Sequence, residues 1–241
     1  MWSWGRPALP YRSGMEATLL TVNIGQAVRA AYATHEAGTG LDKRPVAGPV
    51  AVAAPGPKGT GGSGLAGDAI VDTLRHGGDD QAVYAYARED LDDWQRRLGR
   101  DLPNGIFGEN LTTAGLDVTG ARIGERWRVG PRLLLEVTSP RIPCRTFQGR
   151  LGEPGWIKRF TQAAVPGAYF RVLEPGEIRA GDPVRVEHRP GHDITIGLAF
   201  RALTTHRDLL PRLLDAGDAL HPEAREKAAT YAAKYAVECG R

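Results

Sequence analysis

A series of short apolar segments, separated by glycine, proline and aspartate, constrains the fold of this chain more than any other feature. Turn residues such as Pro55-Gly56-Pro57 and Gly77-Gly78-Asp79-Asp80 stand between these segments. Many short strands joined by regular turns are typical of a mainly β protein, built as a barrel or as two sheets. The predicted strands cover residues 18–23, 46–53, 69–72, 82–86, 126–129, 133–137, 169–173 and 183–187.

Helical periodicity is limited to a few places. Residues 89–98 begin with acidic side chains and end with basic ones, which suits the helix dipole, and residues 154–163 form a second candidate. After residue 193 three apolar stripes follow at helical spacing. The chain is therefore predicted to contain a β domain over 15–190 and a small three-helix subdomain over 191–241. Because three short helices bury little alone, they should dock on the β domain or on a second copy in a homodimer.

The first fourteen residues lack any periodicity and are predicted to be a disordered leader, residues 1–14. The alternative is a tail that binds a partner through Trp2 and Trp4.

Composition excludes several classes of protein. With 31 basic and 28 acidic residues in a chain of 241, the net charge of +3 is too small to indicate a nucleic-acid partner. No apolar run approaches the roughly 20 residues that a membrane-spanning helix requires. The two cysteines do not form a disulfide framework, so a reducing, cytoplasmic environment is expected.

Cys144 is the most informative single residue. It ends the segment Ser139-Pro140-Arg141-Ile142-Pro143-Cys144, which directly follows a predicted strand, and Arg145 comes next. Nearby cations lower the pKa of a thiol, and a thiolate is both a nucleophile and a soft metal ligand. A buried inert thiol is the alternative. The other cysteine, Cys239, lies near the C-terminus.

Three further motifs have both a functional and a structural interpretation. In Arg75-His76-Gly77-Gly78 the glycines allow close approach of the backbone, but a tight turn with an incidental histidine has the same sequence. Asn110 and Thr112 could bind a polar ligand, or could hold a turn through local hydrogen bonds. The glycines at 59–64 match G-x-G-x-x-G without the required strand and helix, which predicts a flexible loop.

Taken together, these segments resemble the MOSC-domain family and, within it, the YiiM-type proteins. The resemblance extends from about residue 16 to the C-terminal helices. The matching stretches, in order, are Asp42-Lys43-Arg44-Pro45-Val46, His76-Gly77-Gly78 with Ala82-Val83-Tyr84-Ala85-Tyr86, Phe107-Gly108-Glu109-Asn110-Leu111-Thr112, Ile123-Gly124-Glu125-Arg126-Trp127 and Pro140-Arg141-Ile142-Pro143-Cys144.

The resemblance implies a MOSC-type β-barrel with a cysteine at its mouth that binds molybdenum cofactor (molybdopterin). This group is anionic and requires cations, amide donors and one soft ligand. Cys144 would be the molybdenum ligand, and Arg141 and Lys43 would balance the charge. The polar periphery of the cofactor would be held by Gly77, Gly78, Asn110 and Thr112.

The implied activity is the reduction of N-hydroxylated compounds such as 6-N-hydroxylaminopurine. The lysine, histidine and cysteine of the family correspond to Lys43, His76 and Cys144, with His76 as general acid for the departing hydroxyl. Two cysteines cannot hold an iron–sulfur cluster, so an external electron-donor protein is expected. Two alternatives remain open: a sulfur carrier with a persulfide on Cys144, and a non-catalytic ligand-binding module.

Overall fold

A computed structural model describes residues 17–239, without the side chains of residues 235–239. The predicted leader at residues 1–14 therefore lies outside the described residues, as does the thiol of Cys239. Among the residues described, no helix has both the length and the apolar character needed to cross a membrane.

Within the described part of the chain ten strands form the framework, and the mainly β prediction is confirmed. They are β1 Ala17–Gly25, β2 Lys43–Pro45, β3 Val50–Val52, β4 Val83–Ala87, β5 Leu111–Ala114, β6 Arg126–Val129, β7 Leu133–Pro140, β8 Ala168–Glu174, β9 Gly176–Ile178 and β10 Pro183–His188.

Seven of these strands close into a barrel. Their order is β10-β6-β7-β8-β4-β5-β1, and pairing of β1 with β10 completes the ring. All neighbours are antiparallel except β4 and β5, which run parallel. Strand β2 extends the sheet beyond β1, and β3 pairs with β9 in a separate two-stranded sheet. Because the seven strands form a closed ring, few strand edges are left exposed to pair with other chains.

The helices surround this barrel. They are α1 Arg88–Leu98, α2 Arg145–Leu151, α3 Trp156–Ala163, α4 Ile196–Thr204, a 3-10 segment at Arg207–Ala219 and α5 Pro222–Cys239. The three C-terminal helical segments dock on the barrel itself. Ala199, Leu213 and Ala228 belong to the same buried apolar cluster as Trp127 and Val137 of the barrel.

Three local predictions were wrong. Residues 69–72 form no strand: the amide of Ala69 bonds to the Gly25 carbonyl at 2.8 Å, and Ile70 and Val71 line a cavity instead of joining a ladder. The strand expected at 46–53 is only Val50–Val52. The turn expected around Asn110 and Thr112 runs into β5, since residues from Leu111 onward pair with β1 and β4. Helix α2 was missed because two turns are too short to show a clear period.

A second core, rich in aromatic residues, lies between β4 and helices α1 to α3. The rings of Phe107 and Phe147 meet edge to face, 5.1 Å apart at 74°, and those of Trp94 and Trp156 are 4.6 Å apart and tilted at 58°. Aromatic side chains contribute large buried areas in defined geometries. This cluster forms a rigid support behind the segment that carries Arg141 and Cys144.

Candidate functional site

One end of the barrel contains a cavity of about 310 Å³. The topology explains its position. Strand β7 ends where β8 begins, Tyr84 of β4 lies opposite Tyr169 of β8, and β2 starts beside the end of β1. Six of the predicted site residues line the cavity, namely Lys43, His76, Gly77, Asn110, Arg141 and Cys144. Gly78 and Thr112 do not line it.

One side of the cavity is lined by Lys43 and Asn110, and both contact Asp68 behind them; these three residues are here called the paired wall. The ammonium of Lys43 contacts both carboxylate oxygens of Asp68. Asn110 Nδ2 donates to Asp68 Oδ2 at 2.9 Å, and the amide of Gly25 donates to Oδ1 at 2.8 Å. The side chains of Lys43 and Asp68 are 5% and 0% exposed. Every polar group of this wall is therefore engaged within the protein.

Opposing electrostatic effects act on the ammonium group of Lys43 in the paired wall. Burial lowers the pKa of Lys43, and the nearby Arg141 lowers it further, while Asp68 and Glu109 raise it. Asp68 thus balances the positive charge of Lys43. Lys43 should therefore attract an anionic ligand less strongly than the sequence suggested.

A buried hydrogen-bond network lies beneath this wall. Glu109 accepts hydrogen bonds from the amides of Gly105 at 2.6 Å and Phe107 at 3.0 Å, and from the hydroxyl of Thr112 at 3.0 Å. Thr112 in turn accepts from Asn23 Nδ2 at 3.0 Å. Burial raises the pKa of Glu109. The Thr112 hydroxyl thus holds this network and does not face the cavity.

A second group of lining residues, here called the open wall, consists of Arg141, Cys144 and Tyr169. Arg141 is 6% exposed, and its Nε has no hydrogen-bond partner. Its guanidinium lies 4.3 Å from the ring centre of Phe147 and 5.1 Å from that of Tyr84. Within residues 17–234 no carboxylate forms an ion pair with it. A buried cation without an anion is costly, so this arrangement favours an anionic ligand.

Arg141 nevertheless remains charged. Burial works against the cation, but Tyr169, Tyr84, Cys144 and the more distant carboxyl of Glu109 leave the pKa of Arg141 above its usual value. Cys144 lies half-buried immediately before α2, against the aromatic cluster. The open wall therefore presents a fixed cation next to a reachable thiol.

His76 is an exposed residue at the rim of the cavity. Surrounding protein atoms partly desolvate its ring, and this, together with the charge of Arg141, lowers the pKa of His76. Arg141 of the open wall thus also influences the protonation of His76.

The two glycines that follow His76 have a packing role. Both have positive φ, and a Cβ on Gly77 would come within 2.6 Å of the Gly62 carbonyl oxygen. The amide of Gly78 donates to that same oxygen at 3.0 Å. The backbone of the glycine-rich loop at 59–64 therefore packs against the loop that carries His76 and holds it in place. The amide of Gly78 is already hydrogen-bonded within the protein.

Sequence reasoning missed Asp68 and Tyr169. Asp68 lies in a segment without periodicity, and only the fold brings it to Lys43. Tyr169 belongs to a predicted strand, but its cavity position depends on pairing with Tyr84 and Ser139. Among the described residues, no group of three or more His, Cys, Asp or Glu side chains is placed to hold a metal ion.

Comparison with known proteins agrees with this fold. The sequence profile of the MOSC domain matches residues 72–185. The protein YflK of Bacillus subtilis (strain 168) is 32% identical over 184 residues, which cover 76% of this chain and 79% of YflK. A protein of Gibberella moniliformis named "Reductase" is 33% identical over 138 residues, which cover 56% of this chain but 24% of that protein.

A solved structure extends the similarity to the whole fold. The crystal structure of YiiM from Geobacillus stearothermophilus superposes with a TM-score of 0.72 at 29% identity, covering 89% of this chain and 98% of that one. The chain therefore belongs to the MOSC-domain family. Within that family it is a YiiM-type protein.

Proposed function

We propose that this protein is a reductase of N-hydroxylated compounds, such as 6-N-hydroxylaminopurine, that uses molybdenum cofactor with Cys144 as metal ligand. The observation that carries the proposal is the unpaired, buried Arg141 beside a half-buried thiol. Membership of the MOSC family and similarity to a protein named "Reductase" support it.

The residues of the open wall fit the cofactor. Its phosphate, dithiolene and oxo groups are anionic, and Arg141 provides a cation that no described carboxylate neutralises. Cys144 provides the soft thiolate ligand that molybdenum accepts. Lys43 and Asn110 are bound to Asp68, so we expect them to shape the paired wall of the cavity. The cofactor would thus be held mainly by Cys144 and Arg141.

Reduction of R–NH–OH to R–NH2 and water consumes two electrons and two protons. The N–O bond breaks, and new N–H and O–H bonds form. The bound cofactor supplies the electron chemistry. The protein binds the substrate, limits water and delivers a proton to the departing oxygen, for which the His76 imidazole at the rim is the candidate. The electrons come from an external electron-donor protein.

Metal analysis tests this proposal. We expect protein from a host with active cofactor synthesis to contain one molybdenum per chain and, with a chemical reductant, to reduce 6-N-hydroxylaminopurine. Cys144→Ser should lose the metal, whereas the control Cys239→Ser should retain it. His76→Ala should keep the metal and lose about 10²–10⁴-fold in rate. Wild-type protein without molybdenum would refute the proposal.

The same thiol and cation also favour a second candidate, a sulfur carrier. A persulfide on Cys144 is anionic and would be stabilised by Arg141. Cyanide-releasable sulfur in a preparation without molybdenum would identify this function. A non-catalytic binding module would instead keep all its ligand binding in Cys144→Ser.

A further inference from the structure

Three tyrosines lie together near the cavity, and their hydroxyl groups differ. Tyr84 donates to the Pro166 carbonyl at 2.7 Å. Tyr86 donates to the Val165 carbonyl at 2.8 Å and accepts from Trp94 Nε1 at 3.1 Å. No hydrogen bond from a described residue reaches the hydroxyl of Tyr169, although Tyr169 lines the cavity. Two phenols therefore serve the fold, and the third is available to a ligand.

The position of Tyr169 is tightly fixed. It lies in β8 between Tyr84 on one neighbouring strand and Ser139 on the other. Its ring centre is 4.9 Å from that of Tyr84, and its backbone carbonyl accepts from the Thr138 hydroxyl at 3.1 Å. A side chain held on a central strand presents its polar atom with little freedom, which favours precise recognition.

Tyr169 lines the cavity together with Arg141 and Cys144, and both of these residues act on it electrostatically. A substrate bound against the cofactor on Cys144 would therefore meet the Tyr169 hydroxyl. Neither Lys43 nor Asn110 offers an equivalent free donor, because both are bound to Asp68.

We propose that Tyr169 is a substrate-binding residue whose phenol O–H donates a hydrogen bond to the hydroxyl oxygen of the N–OH group. This inference rests on the proposed function. Through this hydrogen bond Tyr169 would bind the substrate more tightly than the product, because the amine product lacks the hydroxyl oxygen. A site that hydrogen-bonds a substrate hydroxyl discriminates against analogues without it.

The test compares two ligands and two matched variants of the holoprotein. We expect Tyr169→Phe to bind 6-N-hydroxylaminopurine about tenfold more weakly than wild type, as loss of one hydrogen bond predicts, and to bind adenine unchanged. Calorimetric titration measures both affinities without turnover. Tyr86→Phe removes a phenol that does not line the cavity, so it should change neither affinity.

The outcomes separate the two proposals. If wild-type protein reduces 6-N-hydroxylaminopurine and Tyr169→Phe binds it with wild-type affinity, the role of Tyr169 is refuted and the reductase proposal stands. An equal loss for both ligands would also refute the role, since the hydroxyl oxygen would not be what Tyr169 recognises. If molybdenum-loaded wild type neither binds nor reduces the compound, the proposed substrate class fails and the Tyr169 role fails with it.

Discussion

Each of the two walls of the cavity contains a buried cation, but the walls differ in how their polar groups are satisfied. In the paired wall, Lys43 and Asn110 converge on Asp68, which no solvent reaches. In the open wall, Arg141 has no ion pair within residues 17–234, and Tyr169 has a free hydroxyl. Both walls bury a cation, yet only one of them provides its own anion.

This difference indicates a division of labour. A buried pair with both partners present maintains the structure, and removing either partner leaves an uncompensated charge. A buried cation without a partner contributes nothing comparable to the fold. The paired wall should therefore determine stability, and the open wall should determine ligand binding.

The largest effect is expected in the paired wall. Asp68→Asn leaves Lys43 buried without a counter-charge and should lower the free energy of unfolding by about 3–5 kcal/mol. The matched control is Asp72→Asn, since Asp72 pairs only loosely with the exposed Arg75 at 3.8 Å and should cost less than about 1 kcal/mol. Urea denaturation of both variants measures this. Equal losses would remove the distinction between the walls.

A smaller effect is expected beneath the paired wall. Thr112→Val removes a hydroxyl that bonds Glu109 and Asn23 and should cost about 1–3 kcal/mol. The adjacent Thr113 hydroxyl is buried without a partner, so Thr113→Val should be neutral or stabilising. Thermal unfolding compares the two. A loss of molybdenum in Thr112→Val without destabilisation would instead restore the ligand-binding role expected from the sequence.

The smallest effect concerns the histidine at the rim. Because Arg141 is one cause of the lowered pKa of His76, Arg141→Met should raise that pKa toward its usual value in NMR titration. Arg44→Met, which alters an arginine that is 79% exposed, serves as the control. An unchanged His76 pKa in Arg141→Met would show that the cation does not reach the histidine.

The same shift predicts the pH dependence of the rate. If His76 delivers a proton, the active form is the imidazolium, whose population increases as the pH falls. The rate should therefore rise with acidification through a pKa below the usual 6.5 of histidine. A rate that falls over this range would exclude His76 as the proton donor.

Local sequence was sufficient for part of this description. The strand pattern predicted a mainly β fold, the resemblance to the MOSC-domain family implied a barrel, and the segment around Cys144 predicted a cation beside a thiol. Sequence could not distinguish Lys43 from Arg141, because their difference depends on Asp68, which tertiary structure alone brings to Lys43. The sequence pattern also predicted a strand at residues 69–72, because apolar residues that line a cavity give the same pattern as apolar residues that face a core. Tyr169 was overlooked because its availability depends on which tyrosine hydroxyls already have partners.

Arg141→Met tests the division between the walls most directly. The variant, purified from a host with active cofactor synthesis, is measured for molybdenum content and, after removal of the cofactor, for stability in urea. We expect it to contain no molybdenum and to unfold within about 1 kcal/mol of the cofactor-free wild type, because it loses only an unpaired charge and its aromatic contacts. Wild-type molybdenum content, or a destabilisation as large as that of Asp68→Asn, would contradict this account.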